Sequence, residues 1–345
     1  MSWYAVESVD TAATATRRFL FPFSPVAWLK LGLLVILFGS IGGTNTTGVS
    51  TNVGNVGTNS PADGSDPPPA IDAALRDISA AIPTDPTTIG LIVAAVLAVG
   101  LVWTIVSETA RFVFYESIDR NDVTLLAPAK RRLGQATRLV GFKLLVSGLF
   151  ALPFVAVALA FYYNAIDPGS LGVLAPIGAI VLGLYAVVGG LVVVFILRFT
   201  DEFVVPVMIR SNDGVLAGWR SIAPALRDEW KQFGVYIAVH FLLLLGIGLA
   251  QSIVLFVLFG VIAAIAGLLA LVVVFGLAGG IDAAIASTAI LAGLGTIGLL
   301  GVLAFIAIVV PIRILVVTYV TTYELSVLRS LAPEYDLLSS IVERQ

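Results

Sequence analysis

The chain has 345 residues, 59% of them hydrophobic and 12% charged, with a mean hydropathy of +1.03 and a formal net charge of −3. A soluble domain carries about 25% charged residues, so the composition excludes one and points to a polytopic membrane protein. The absence of cysteine excludes disulfides, thiolate nucleophiles and cysteine metal sites, and one histidine with two methionines leaves little for a metal or haem, so no cofactor is expected.

Taken in order, residues 1–24 carry Val6, Val9, Ala13, Thr16, Leu20 and Phe23 at helical spacing. They also hold Glu7 and Asp10, unlike a secretory leader, and predict a short interfacial helix ending at Arg17 and Arg18. Residues 25–43 form the first expected span, about 28 Å long at roughly 1.5 Å per residue, with a cleavable signal as the alternative. The 44–88 stretch shifts to Thr, Asn, Gly, Ser and Pro and reads as an extracytoplasmic polar loop. Within it, Ile71, Leu75, Ile78 and Ile82 are spaced for a short amphipathic helix, and Asn45-Thr46-Thr47 is a glycosylation sequon.

Residues 89–106 are the second span and 108–138 a charged return. Spans at 139–163 and 171–199 follow, around a small polar turn at 164–170. The charged segment 199–233 comes next, then an almost wholly apolar region from 234 to 320, broken at 276–282. Each half of that region is about 60 Å long as one helix, twice the hydrocarbon thickness, so each half kinks, projects, re-enters or crosses twice. Residues 323–345 are a cytoplasmic tail.

Arg76 is the only one of 19 lysines and arginines in the 44–88 loop, the 164–170 turn or the 276–282 break. By the positive-inside rule the N-terminus, the two charged segments and the C-terminus are cytoplasmic. Both termini inside requires an even number of spans. The expected fold is therefore an all-α polytopic transmembrane helical bundle of six spans, with eight as the alternative, in a single domain of 1–345 in the cell membrane.

A weak internal repeat supports three helical hairpins, each preceded by an interfacial helix. Arg120-Asn121-Asp122 with Leu125, Pro128 and Arg131 parallels Ser211-Asn212-Asp213 with Leu216, Pro224 and Arg227, and a third copy begins at Arg17 and Pro25. Asp122 and Asp213 are placed to cap helix N-termini, a structural role.

The second charged segment carries the main site candidates. Val215, Trp219, Ile222, Leu226, Trp230 and Phe233 form one helical stripe, with Arg220, Arg227, Asp228 and Lys231 elsewhere on the wheel. That pattern predicts a helix on the membrane surface over 214–233, with Trp219 and Trp230 at the headgroups. Asp201 and Glu202 beside it are expected to be solvated and to offer a docking surface. The basic groups Lys130, Arg131 and Arg132, and Arg220, Arg227 and Lys231, are placed to meet anionic lipid, at about 1 kcal/mol each.

Within the spans, His240 and Gln251 lie about three turns apart on one face, and packing by interhelical hydrogen bonds is the expected role. Arg313 is read as a snorkelling anchor. Gly293, Gly295, Gly298 and Gly301 are read as close-packing positions rather than a phosphate loop, since no Lys-Ser or Lys-Thr follows.

The runs Phe199-Thr200-Asp201-Glu202-Phe203-Val204-Val205-Pro206, Gly218-Trp219-Arg220 and Trp230-Lys231-Gln232-Phe233-Gly234-Val235-Tyr236 resemble an uncharacterised family of haloarchaeal polytopic membrane proteins. The ending Tyr323-Glu324-Leu325-Ser326-Val327-Leu328, with Pro333 and Asp336-Leu337-Leu338, is similar to that family's tail. More distantly, the plan looks like the membrane domain attached to some bacterial glycerophosphodiester phosphodiesterases, without their catalytic domain. The resemblance implies a membrane bundle and assigns no activity. An acidic, lysine-poor, cysteine-free chain fits a halophile.

Two function classes follow. The first is a non-enzymatic scaffold that binds membrane lipids or other membrane and cytoplasmic proteins; the second is a small-solute transporter or permease. No nucleic-acid motif is visible, and the scarcity of charge within the spans favours the first.

Overall fold

The structure is a computed structural model describing residues 4–39, 85–163, 172 and 174–342. Asn45, the Ile71–Ile82 pattern and the 164–170 turn lie outside the described residues. Every regular element among the described residues is helical: α1 (Tyr4–Leu20), α2 (Pro25–Gly39), α3 (Pro86–Arg120), α4 (Leu126–Tyr162), α5 (Leu174–Phe199), α6 (Val205–Ser211), α7 (Val215–Asp228), α8 (Trp230–Leu271), α9 (Ile281–Ala286), α10 (Thr288–Leu331) and α11 (Ser339–Val342). Two π-helical turns, Thr200–Val204 and Val272–Leu277, continue α5 and α8. Five helices are long and apolar enough to cross a membrane, and α2 is a shorter apolar helix.

The long helices divide into two parts. In α3 the side chains of Ile89, Leu91, Val96, Leu97 and Val102 are exposed, whereas Ser107 to Ile118 are buried. The exposed stretch is about 27 Å long, close to a bilayer core, so lipid is its natural neighbour. The same division falls within α8, largely exposed after His240 apart from Gln251, and α10, largely exposed before Ile314 and mostly buried from Val317 to Leu328. The protein core is therefore a packed head at one end, with apolar legs extending from it. The first long apolar stretch runs as α8, and the second as the short α9, a break at Ser287, and α10; α8 and α10 exceed the bilayer because their ends project into this head. Between them Gly279 (φ 80°) and Gly280 (φ 149°) take conformations that a side chain would disfavour.

The charged return expected at 108–138 is instead helix through Arg120, a short turn, and helix again from Leu126. Glu108, Arg111, Glu116 and Arg132 are buried and paired inside the head, whereas Lys130 and Arg138 are exposed. Asn121 ends α3 in the left-handed conformation, its amide bonded to Ile118 and that of Asp122 to Ser117, which satisfies the last carbonyls. Asn212 ends α6 with the same backbone geometry. The repeat thus marks two equivalent helix ends. Asp122 and Asp213 are not the caps: the N-cap residues of α4 and α7 are Leu125 and Gly214, and neither helix has a side-chain cap among the described residues. By contrast Asp85 caps α3 by accepting from the Thr88 amide at 2.7 Å, and its hydrogen bonds to Thr88 hold its carboxyl below the usual range.

Helix α1 lays a small-residue face, Ala5, Ser8, Ala12, Ala15 and Thr16, along the end of α10. Thr16 and Thr322 share a hydrogen bond of 2.8 Å, Thr322 donates to the Ala12 carbonyl and Ser326 to that of Ser8. Arg18 binds the carbonyls of Ile341 and Val342, so the described ends of the chain meet on the head. In the tail, Arg329 pairs with Asp336 at 3.2 Å and Leu337 and Leu338 are fully buried.

Candidate functional site: a buried polar centre

The π-helical turn at Thr200–Val204 creates the site. Pro206 has no amide hydrogen for the Glu202 carbonyl four residues earlier, and the Val205 amide bonds instead to Thr200, five residues back. All five residues of the turn are buried. Asp201 and Glu202, expected to be solvated, are 7% and 1% exposed. They cannot form an exposed docking surface, because Arg111 of α3, Lys143 of α4 and Arg198 of α5 converge on them with complementary charge.

Asp201 meets Arg111 of α3 and Lys143 of α4, the latter at 2.6 Å. Glu108 completes this group, 2.7 Å from Lys143 and 3.4 Å from Arg111. Glu202 accepts from Arg198 Nε at 2.5 Å through Oε1 and from the Tyr236 hydroxyl at 2.6 Å through Oε2. Nearby, Tyr115 donates to Oε2 of Glu324, on α10, at 3.4 Å. His240 lies between these carboxylates, its Nε2 3.7 Å from Glu202 Oε1 and 3.9 Å from Glu324 Oε1. Among the described residues, neither imidazole nitrogen, nor Glu324 Oε1, nor the Tyr323 hydroxyl has a hydrogen-bond partner. Tyr236 and Tyr323 stack 6.1 Å apart and both pack on the imidazole. The three ligand atoms of Glu202, His240 and Glu324 lie within 4.8 Å of one another, an arrangement able to hold a cation.

A second buried cluster is structural. Glu116, 1% exposed, binds Arg120 and Arg132 at 2.8 Å each and also Arg131. Arg132 continues to Gln135, Asn212 and the Ile209 carbonyl, and Gln135 to the carbonyls of Met208 and Asp213. This chain ties the start of α4 to the second left-handed turn. Arg131 and Arg132 are thereby committed to protein contacts rather than to lipid alone.

The remaining sequence candidates separate. The 214–233 stripe is interrupted at Glu229, where α7 ends and α8 begins. Trp219 is half-buried and donates to Thr200 at 3.1 Å, whereas Trp230 is 66% exposed with Lys231 over its ring. Gly218 packs against the π-helical turn: a Cβ there would lie 2.8 Å from Val204 Cγ1. Arg220 and Arg227 are exposed, and Arg313 is half-buried just before the packed part of α10. Gln251 is buried with His240 on α8, but its Oε1 has no hydrogen-bond partner. Among the four glycines read as packing positions, only Gly301 approaches a neighbour, Ile262; a Cβ at Gly293, Gly295 or Gly298 would meet open space.

Sequence reasoning passed over Glu108, Arg111, Lys143, Tyr236 and Glu324. Their signals were present: Arg198 and Glu202 stand four residues apart, Glu108 and Arg111 three, and Lys143 and Glu324 are charges within apolar runs. What a single sequence lacks is the convergence of those charges from four helices.

The model of a family of unknown function, DUF7544, matches residues 3–338, and the chain belongs to that family. No curated protein and no solved structure matches it.

Proposed function

We propose that this DUF7544 member is a six-span permease for a small solute, and that its buried polar centre takes up and releases positive charge during the cycle. The observation that carries the reading is the charge balance. Among the described residues of the centre, Glu108, Asp201, Glu202 and Glu324 stand against Arg111, Lys143 and Arg198, around an imidazole with neither nitrogen bonded. A surplus buried negative charge is costly, so a proton or another cation has reason to enter. Buried ionisable groups with strong charge partners are frequent functional sites, and π-helical turns are common there.

In this reading the protein sits in the cell membrane of a haloarchaeon, α2 is the sixth span, both termini and the head are cytoplasmic, and the 44–88 loop is outside. The activity is non-enzymatic. Its test is a proteoliposome preparation loaded with a small-molecule extract of the native cells. Under an imposed cation gradient the wild-type protein should deplete a defined subset of solutes, while Glu324→Gln and protein-free vesicles retain them. Equal retention in all three overturns the permease.

The lipid-binding scaffold has one observation in its favour. An apolar cavity of about 960 Å³ lies between α2 and α10, lined by Phe21, Trp28, Leu29, Leu33, Val310 and Pro311. Gly32 lets the helices approach there, a Cβ lying 3.0 Å from Val310 Cγ1. An acyl chain of a membrane lipid fits that chemistry, and lipid retained by wild-type protein but lost in Gly32→Leu would support it.

A further inference from the structure

We infer that Glu202, His240 and Glu324 form a binding site for a divalent transition-metal ion, of the zinc, manganese or cobalt class. The inference deepens the permease reading and rests on its claim that the centre accepts positive charge.

Geometry separates a metal from a proton. A protonated imidazole or carboxyl would draw its acceptor to about 2.5–2.9 Å. Here His240 Nε2 stands 3.7 and 3.9 Å from the two carboxylate oxygens, too far for a hydrogen bond. Ligands about 2.1 Å from a tetrahedral ion are about 3.4 Å apart, so the two imidazole–carboxylate contacts close with a contraction of a few tenths of an ångström, and the Glu202–Glu324 edge, within 4.8 Å, with up to about 1.4 Å. Imidazole with carboxylates suits transition metals, whereas an alkali or alkaline-earth ion prefers oxygen alone.

The surroundings match what a metal requires of its ligands. Each carboxylate turns one oxygen toward the imidazole and the other toward a tyrosine: Tyr236 donates to Glu202 at 2.6 Å, and Tyr115 lies 3.4 Å from both Glu324 and the Asp201 carbonyl. Such outer hydrogen bonds fix the orientation of metal-binding groups. Oε1 of Glu202 also accepts from Arg198, and a second lone pair on that oxygen remains for the ion. Glu324 Oε1 and both imidazole nitrogens are buried without partners, which is costly unless something binds them. A dication turns the surplus negative charge of the centre into one net positive charge. That charge and the open coordination position suit water, hydroxide or an anionic solute.

The test is a Co²⁺ titration of the purified full-length protein carrying a tag without histidines. Wild-type protein should bind one Co²⁺ per chain, displaceable by Zn²⁺, with visible ligand-field absorption. His240→Gln should abolish that absorption, and Tyr236→Phe should weaken binding about ten- to hundredfold. Asp282→Asn, at an exposed acid outside the head, should bind as wild type. Each variant is scored only on its monodisperse fraction. Absence of stoichiometric binding by the wild type, or unchanged absorption in His240→Gln, overturns the metal site. If solute depletion nevertheless persists in proteoliposomes, the metal assignment alone fails; if depletion is also absent, the permease reading falls with it.

Discussion

Tyr236 donates its hydroxyl to one oxygen of Glu202 at 2.6 Å, leaving the other oxygen 3.7 Å from the imidazole of His240. Tyr236 and His240 are one helical turn apart on α8, so a single helix both orients the carboxylate and supplies its neighbour. Glu324 repeats the pattern with Tyr115, which brings α3 and α10 into the same centre. The site is therefore assembled only when the head is packed.

Asp201→Ala tests whether that packing depends on charge. The substitution leaves Arg111 and Lys143 with only Glu108 between them, and removing one partner of a buried ion network costs about 3–5 kcal/mol. A markedly lower apparent unfolding temperature in detergent is expected. Arg220→Ala and Arg227→Ala, at exposed positions, should stay within about 0.5 kcal/mol of wild type. An Asp201→Ala protein as stable as wild type would show that this charge network does not hold the head together.

Glu116 should behave similarly for a different reason. It receives Arg120, Arg131 and Arg132, and Arg132 in turn holds the turn at Asn212. Glu116→Gln keeps the shape and removes the charge, so a loss of about 3 kcal/mol is expected from the unpaired Arg132 alone. Pulse proteolysis in detergent measures it, with earlier cleavage expected in the 205–228 region.

Gly218 and Gly298 make a matched pair. Gly218→Ala forces a methyl to within 2.8 Å of Val204 and should cost about 1–3 kcal/mol by overpacking. Gly298→Ala meets nothing within 4 Å and should be neutral or slightly stabilising, since alanine favours a helix. Thermal unfolding of the two variants side by side reads the difference.

The proposed topology is tested with single cysteines in a chain that has none. A membrane-impermeant thiol reagent on intact cells should label Ser60→Cys, in the polar loop, and not Ser221→Cys, exposed on α7. Labelling in the opposite sense would invert the protein.

Composition and periodicity made the helical class legible, and the end of the second expected span at residue 106 falls where α3 passes from exposed to buried at Ser107. Apolar runs announce membrane length because the bilayer sets it. Asn121 and Asn212 were visible as a repeat, but their meaning as left-handed helix ends is a backbone property. Asp201 and Glu202 were read as solvated because adjacent acids usually are; the π-helical turn before Pro206 sends both inward. The 214–233 stripe looked continuous because periodicity does not register the break at Glu229, which leaves Trp230 outside.

The central claim, that positive charge enters and leaves the Glu202–His240–Glu324 centre, is tested most directly by charge-displacement recording on a solid-supported membrane. Proteoliposomes of wild-type protein are given rapid steps of pH and, separately, of Co²⁺. The account predicts a transient current in the wild type for at least one of the two steps, retained in Asp282→Asn and lost in Glu324→Gln at equal amounts of folded protein. No transient in the wild type, or the same transient in Glu324→Gln, would contradict it.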